Sequence, residues 1–428
     1  MRAGWLAAAL ALVIGLGGVV SAGAQGQSLV AFTNAAGQLV VTSADGGYRW
    51  VLTNPGETLS PALGFNWAQN GSRLFFAVDQ GGEVSLRAAD VASQNAVEIG
   101  RVGNGNLSGG EWTPDHSGVL VATGDRLTWY PVSGTAMDVL AGQSGLSLRT
   151  PALDARAGWR SLAPDARTLV YRDAYGSAVA LPLTGGTPVT LVSGADPSAQ
   201  GGLWTEDGGL VAVAGGGQIA AYSPVTGALA QAAGGSVPPA PLLWLPGSST
   251  LLYQDGAGAV RAGDFACLRS GPCDPFSAAA PVLPASAHDL RAVSGNLVYL
   301  DGENVNSVPL SCLSAGGCAP LTAAGAAAPG SGLEVRGNVL AYTAYTANPN
   351  DLADREARVL DASCLSSGGC TPRAVGPGAQ AGALAPDGRS LALVSPAGLS
   401  LVDVASGAQT PLSDPAYGQS ARSARWNG

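Results

Sequence analysis

The sequence predicts an all-β chain folded as a single closed β-propeller of about nine four-stranded blades, with eight as the fallback count. Three observations carry that expectation: a phrase that recurs along the chain, a composition hostile to helices, and two chain ends that each hold part of one repeat. The phrase is an apolar stretch that often holds Trp, a Pro/Asp/Gly turn, and a short apolar strand ending in a polar turn. It reads "FNWAQNGSRLFFAV" from residue 65, "GEWTPDHSGVLVAT" from 110, "RSLAPDARTLVYRD" from 160 and "GLWTEDGGLVAVAG" from 202. It continues as "LLWLPGSSTLLYQD" from 242, the degenerate "DLRAVSGNLVYLDG" from 289 and "GLEVRGNVLAYTAY" from 332, and "GALAPDGRSLALVS" from 382.

Each copy is followed by a third apolar strand, a tight turn such as "TGGTP" and a fourth short strand, which makes four antiparallel strands per unit. Anchored on Trp67 and Trp426, the units recur every 45 residues or so, about the length of a propeller repeat. Gly 62 and Pro 28 in 428 residues are too many breakers for a helical protein. The chain ends in "SARWNG", one strand into a new unit, while the segment from Ser28 is a unit lacking its first strand. Joining the terminal strand to the amino-terminal three completes one blade and hides two open sheet edges.

The phrases Trp112-Thr113-Pro114-Asp115 and Ala385-Pro386-Asp387-Gly388 resemble the TolB-type propeller repeats of bacterial envelope proteins and of prolyl oligopeptidase relatives. The resemblance covers nearly the whole mature chain and is specific for fold. Within these residues no separate amino-terminal α/β domain of the TolB kind and no carboxy-terminal hydrolase domain are expected. What the resemblance implies is a scaffold for partner binding, with no residue-level site to carry over.

Arg2, the apolar run Trp5 to Val20 and the small-residue site Ala22-Gly23-Ala24 form a secretory signal peptide over residues 1–24, leaving a propeller domain over 25–428. The rival reading, an uncleaved anchor, suffers from Gly15, Gly17 and Gly18 within a run barely long enough to span a bilayer. No stable membrane span is expected after cleavage, so the chain is expected to be secreted or periplasmic, and monomeric. The formal net charge of -9 lacks the basic stripe that nucleic acid requires. Scanning the sequence finds no lysine, which rules out Schiff-base chemistry and phosphate-loop lysines.

Six cysteines form three Cys-x5-Cys pairs, "CLRSGPC" from 267, "CLSAGGC" from 312 and "CLSSGGC" from 364, all at the turn between third and fourth strands. Zinc would need four converging ligands at shorter spacing, and redox motifs favour Cys-x-x-Cys. In an exported chain the pairs therefore read as disulfides Cys267–Cys273, Cys312–Cys318 and Cys364–Cys370. Each closes a short loop worth roughly 2 kcal/mol before strain. They fall in blades six to eight, which include the two weakest copies of the phrase, and so read as compensation for poorer blades.

The turns between second and third strands share the opposite rim and several carry acid: Asp79, Asp125, Asp173, Asp255 and Asp301, with Glu83 and Glu303 nearby. The eighth blade adds an insertion at 345–358 with Asp351, Asp354 and Glu356. These residues are either turn formers or an acidic ring for a cation, Ca²⁺ included, or for a basic partner; their spacing does not match a calcium loop. No other cofactor is implied. No Gly-x-Ser-x-Gly elbow occurs, and His116 and His288 have no evident Ser or Cys partner, so both read as surface histidines. Trp67, Trp112, Trp204, Trp244 and Trp426 read as packing between blades. Asn70 and Asn106 begin Asn-x-Ser sequons.

Two function classes follow. The first is an exported non-catalytic propeller binding a protein or glycan at the cell envelope. The second is an extracellular propeller enzyme, a polysaccharide lyase or hydrolase using carboxylates near the central channel; the expectation that the first strands carry few charges favours binding.

Overall fold

The computed structural model describes residues 28–34, 36–142, 145–148, 159–194, 201–313, 318–348, 351–367, 369–412 and 425–426. The signal-peptide reading therefore lies outside the described residues. The chain is an all-β propeller of nine blades, arranged in two compact units, residues 59–281 and residues 28–58 with 282–428.

Blade 3 shows the common pattern: Leu107–Trp112, Gly118–Thr123, Arg126–Pro131 and Met137–Ala141 pair in sequence order as antiparallel neighbours. Burial explains the sequence of such a blade. In blade 2 the second strand, Arg73–Asp79, is apolar without alternation because Leu74 to Val78 are covered on both faces. The fourth strand, Asn95–Gly103, is mostly exposed and carries Glu98 and Arg101 as an ion pair on the sheet edge.

The core lies at the seams. Each apolar cluster joins two successive blades, as where Phe75, Leu86 and Ala88 of blade 2 meet Trp112, Val119 and Tyr130 of blade 3. Leu203, Ala212 and Ile219 of blade 5 meet Trp244, Tyr253 and Phe265 of blade 6 in the same way. Blade 1 is built as expected: the terminal strand Arg425–Trp426 pairs antiparallel with Leu29–Thr33, in register Val30 with Trp426, followed outward by Leu39–Ser43 and Arg49–Val51.

Two blades depart from four regular strands. In blade 2 the first strand is split into Thr58–Leu59 and Phe65–Trp67, both pairing with the second strand. In blade 4 the expected first strand is reduced. Trp159–Arg160 pairs with Gly202–Leu203 of blade 5, and among the described residues two isolated bridges, Leu162 to Leu169 and Ser147 to Arg172, take the place of a first strand on the blade's own sheet. The physical reason is that the Ser161 and Leu162 N–H groups are claimed by the Glu111 carboxylate of blade 3.

The turn after the first strand is identical in five blades. The fourth residue's N–H donates to the carbonyl three back, at 2.8–3.0 Å in Gly71, His116, Ala166, Gly208 and Gly388. The preceding Asn or Asp accepts the N–H two residues on, as Asp165 does from Arg167 at 3.0 Å. This turn needs positive φ at its fourth residue, which is Gly in three copies but His116 (φ 58°) and Ala166 (φ 57°) in the others. Ala166→Gly relieves left-handed strain of about 1–2 kcal/mol and loses part of it to unfolded-chain entropy. A net gain of about 0.5–1 kcal/mol is expected by urea denaturation, and a loss of stability would contradict the strain argument.

Candidate functional site

Charge on the first strands goes to the neighbouring blade. Glu111, 4% exposed, accepts the Ser161 N–H at 3.0 Å and the Leu162 N–H at 2.6 Å. In blades 7 and 8 (first strands Ala287–Val293 and Glu334–Arg336), the Asp289 carboxylate accepts the Leu333 N–H and pairs with Arg291 at 2.7 Å. Asp289 holds a left-handed backbone, φ 50°, to make this reach. Glu334, on the first strand of blade 8, feels the charges of Arg291 and Asp289 of blade 7 and of Arg336 on its own strand. The expectation of few charges on first strands therefore fails in blades 7 and 8.

Burial raises the Glu334 carboxyl above its ordinary value, against the lowering pull of Arg291 and Arg336 and with help from Asp289. The folded chain thus binds this proton more tightly than the unfolded chain. The group supports folding below its ordinary value of 4.5 and that support is lost as pH rises through the raised value. Glu334→Gln, followed by urea unfolding between roughly pH 4 and 8, is expected to lose less stability with rising pH than wild type. Superimposable pH profiles would contradict that assignment.

The tryptophans supply the reciprocal link. The indole N–H of Trp112 donates to the Asn66 carbonyl at 3.0 Å, that of Trp204 to Arg160 at 3.1 Å, and that of Trp244 to Leu203 at 2.8 Å. Each acceptor lies on the first strand of the preceding blade. Trp67 is buried like these three, and the side chain of Trp426 lies outside the described residues.

Four of the five acids of the second-to-third turns, Asp79, Asp125, Asp173 and Asp255, have local partners. Asp79 accepts the Gly81 N–H at 2.9 Å and the Asn104 amide at 2.7 Å. Asp173 accepts Tyr175 and Ser177 N–H groups at 2.9 and 2.8 Å, and Asp255 accepts those of Ala257 and Ala259, both at 2.9 Å, while pairing with Arg261. Asp125 lies 3.8 Å from Arg126, and Asp301 ends the second strand of blade 7. In the blade 8 insertion Asp351 accepts the Ala353 N–H and Asp354 that of Asn348, each at 2.9 Å. Among the described residues no three His, Cys, Asp or Glu side chains converge to hold a metal.

His288 is exposed, with its Nδ1 3.0 Å from the Ser286 carbonyl. His116 departs from the surface reading. It is half-buried in its strained turn, its Nε2 is buried without a hydrogen-bond partner among the described residues, and burial lowers its pKa.

One cleft lies on neither set of predicted residues. A cleft of about 390 Å³ sits between blades 9 and 1, at the end of the sheets where first joins second and third joins fourth strand. The turn of blade 9 after its first strand gives Asp387, Arg389 and Ser390, and its third-to-fourth turn gives Asp403 and Ala408. Blade 1 adds Ser43 and Asp45. The Ser43 hydroxyl and the Gly47 N–H hold Asp45 at 2.5 and 3.0 Å, and the Ser406 N–H and hydroxyl hold Asp403 at 2.7 Å each. These hydrogen bonds lower both carboxyls below their ordinary value, led by Ser43 for Asp45 and by Ser406 for Asp403. Asp387 accepts the Arg389 N–H at 2.9 Å. The wall is therefore polar and fixed, with three aspartates against one arginine. Sequence reading passed over these aspartates because each looks like turn chemistry alone; that all three sit on one seam shows only once the ends of the chain pair.

No protein-family model matches the chain, and no curated protein matches it. Among solved structures it is similar to the carboxy-terminal WD40 domain of Sif2, at 12% identity and a TM-score of 0.47, over 78% of this chain and 93% of that one. It is similar to TolB from Acinetobacter baumannii at 13% identity and a TM-score of 0.34, over 56% and 61%. A third is an oligogalacturonate lyase in complex with manganese, at 16% identity and a TM-score of 0.41, over 85% and 92%. By its own strand order the chain is a β-propeller.

Proposed function

We propose that the chain is an exported, non-catalytic propeller that binds a partner at the cell envelope through the cleft of blades 9 and 1. The observation that supports this most is the fixed acidic wall of Asp45, Asp387 and Asp403, which complements a basic side chain on a protein partner. Export is supported by the leader over residues 1–24 and by three cysteine pairs joined as disulfides, which persist in an oxidising compartment. Against catalysis stands the use of Glu111 and Asp289, which spend carboxylate oxygens on backbone N–H groups of the next blade.

The test is titration calorimetry of the purified oxidised chain with an arginine-rich peptide, an acidic peptide and a neutral oligosaccharide. The basic peptide alone is expected to bind, more weakly as salt rises. The triple variant Asp45→Asn, Asp387→Asn, Asp403→Asn is expected to weaken that binding at least tenfold. Binding of the neutral sugar, unchanged in the variant, would overturn the cleft assignment. The enzyme reading draws on the raised carboxyl of Glu334 beside Asp289; depolymerisation of an acidic polysaccharide that Glu334→Gln abolishes would establish it instead.

A further inference from the structure

The three cysteine loops share more than their spacing: in each, the residue after the first cysteine is leucine. Leu268, Leu313 and Leu365 are 0%, 2% and 0% exposed. In blade 6 the turn Ala266–Arg269 drives Leu268 into the cluster shared with Leu210, Ala221 and Ala228 of blade 5, and Cys273 packs against the same cluster. The Leu268 carbonyl accepts the Thr226 hydroxyl of blade 5 at 2.7 Å. Next to it, Arg269 reaches back to the turn after the first strand of blade 5 and clamps Asp207 with two bonds, at 2.7 and 3.1 Å. That guanidinium holds the Asp207 carboxyl well below the usual carboxylate range.

Blade 8 repeats the device. The turn Ala362–Ser366 places Leu365 in the cluster it shares with Val298, Leu300 and Val305 of blade 7, with Cys364 and Cys370 against it. The Leu365 carbonyl accepts the Ser307 hydroxyl of blade 7 at 2.9 Å. A single turn of helix has no stability of its own, so what keeps each leucine seated is the closed loop. The cysteine bridges are thus placed to hold a seam with the preceding blade, beyond any repair of the blade that carries them.

We propose that the Cys-Leu loops of blades 6 and 8 are redox-opened latches on blades 5 and 7. Cys267 is exposed, so the thiolate of a dithiol reductant reaches its sulfur. That attack forms a mixed disulfide and expels the Cys273 thiolate, which takes up a proton. The reductant's second thiol then displaces Cys267, leaving two protein thiols and one oxidised dithiol, a transfer of two electrons. The freed loop releases Leu268, and the Thr226 and Asp207 contacts go with it.

The test is hydrogen exchange on the full chain, oxidised, treated with dithiothreitol, and reoxidised. Reduction is expected to speed exchange at residues 205–209 and 223–228 of blade 5 at least tenfold, and reoxidation to restore it. Cys267→Ser with Cys273→Ser should reproduce the effect with the other two bridges intact. Leu268→Ala should reproduce it in the oxidised chain, which separates the latch from loss of the bridge. Acceleration confined to 266–273 would overturn the proposal, leaving a local staple. A uniform loss of protection over all blades, or global unfolding, would overturn it equally, because neither is a seam opening.

Discussion

Glu111→Ala is expected to lower the stability of the chain by about 3–5 kcal/mol. The carboxylate is buried and accepts two backbone N–H groups inside the seam of blades 3 and 4, and hydrogen bonds to a charged group contribute about 1.5–3 kcal/mol each. Truncation leaves the Ser161 and Leu162 donors buried and a cavity beside them. Blade 4 has little else to fall back on, since among the described residues its first-strand side is tied to its own sheet by two isolated bridges. Glu111→Gln keeps one acceptor and turns an amide N–H toward the other donor, so a smaller loss of about 1–2 kcal/mol is expected. Urea unfolding measures both, and an alanine variant within about 1 kcal/mol of wild type would count against the role given to Glu111.

Trp244→Ala is expected to cost a similar amount, about 3–5 kcal/mol. The ring is 6% exposed, meets Phe265 edge-on at 5.7 Å, and belongs with Phe276 and Tyr253 to one aromatic cluster. Trp244→Phe keeps much of the packing and removes the N–H that serves the Leu203 carbonyl, for about 1–2 kcal/mol. Tyr175→Ser is the control. Tyr175 is 88% exposed at a turn tip, and its loss should stay within about 0.5 kcal/mol. Equal effects at Trp244 and Tyr175 would remove the seam from the explanation.

The blades were legible because their signal is local. The Trp anchor, the Pro-Asp-Gly turn and the apolar second strand occur within fifteen residues, and the closure of blade 1 followed from two incomplete ends. Nine blades are present, where the sequence left eight open. The first-strand side chains that join blades were not legible, because their partners are backbone groups 41 to 51 residues away, as for Trp244 with Leu203 and Glu111 with Leu162. A signal did exist: an acid within an apolar first strand, as in "GEW" at 110–112 or "GLEV" at 332–335, has no reason to be there unless something binds it. The leucine after each first cysteine was a similar signal, visible in all three copies.

Blade 4 shows the opposite failure. "RSLAPDARTLVYRD" reads as a regular first strand and turn, and the turn forms, yet Trp159–Arg160 pairs sideways with blade 5. Local propensity fixed the turn; the carboxylate of another blade decided the strand. His116 reads as a surface residue for the same reason, since nothing within its turn shows that Arg73 of blade 2 donates to its carbonyl at 2.9 Å and helps bury it.

The central claim is that charged and indole side chains of the first strands bind one blade to the next. Amide hydrogen exchange resolved to single residues tests it most directly. In the wild-type chain, Ser161 and Leu162 are expected to exchange as slowly as amides of the second strand Gly118–Thr123. In Glu111→Gln, which is expected to fold, they should lose protection before the strands around them. Free exchange of Ser161 and Leu162 in the wild-type protein, or protection unaltered by the substitution, would contradict the account.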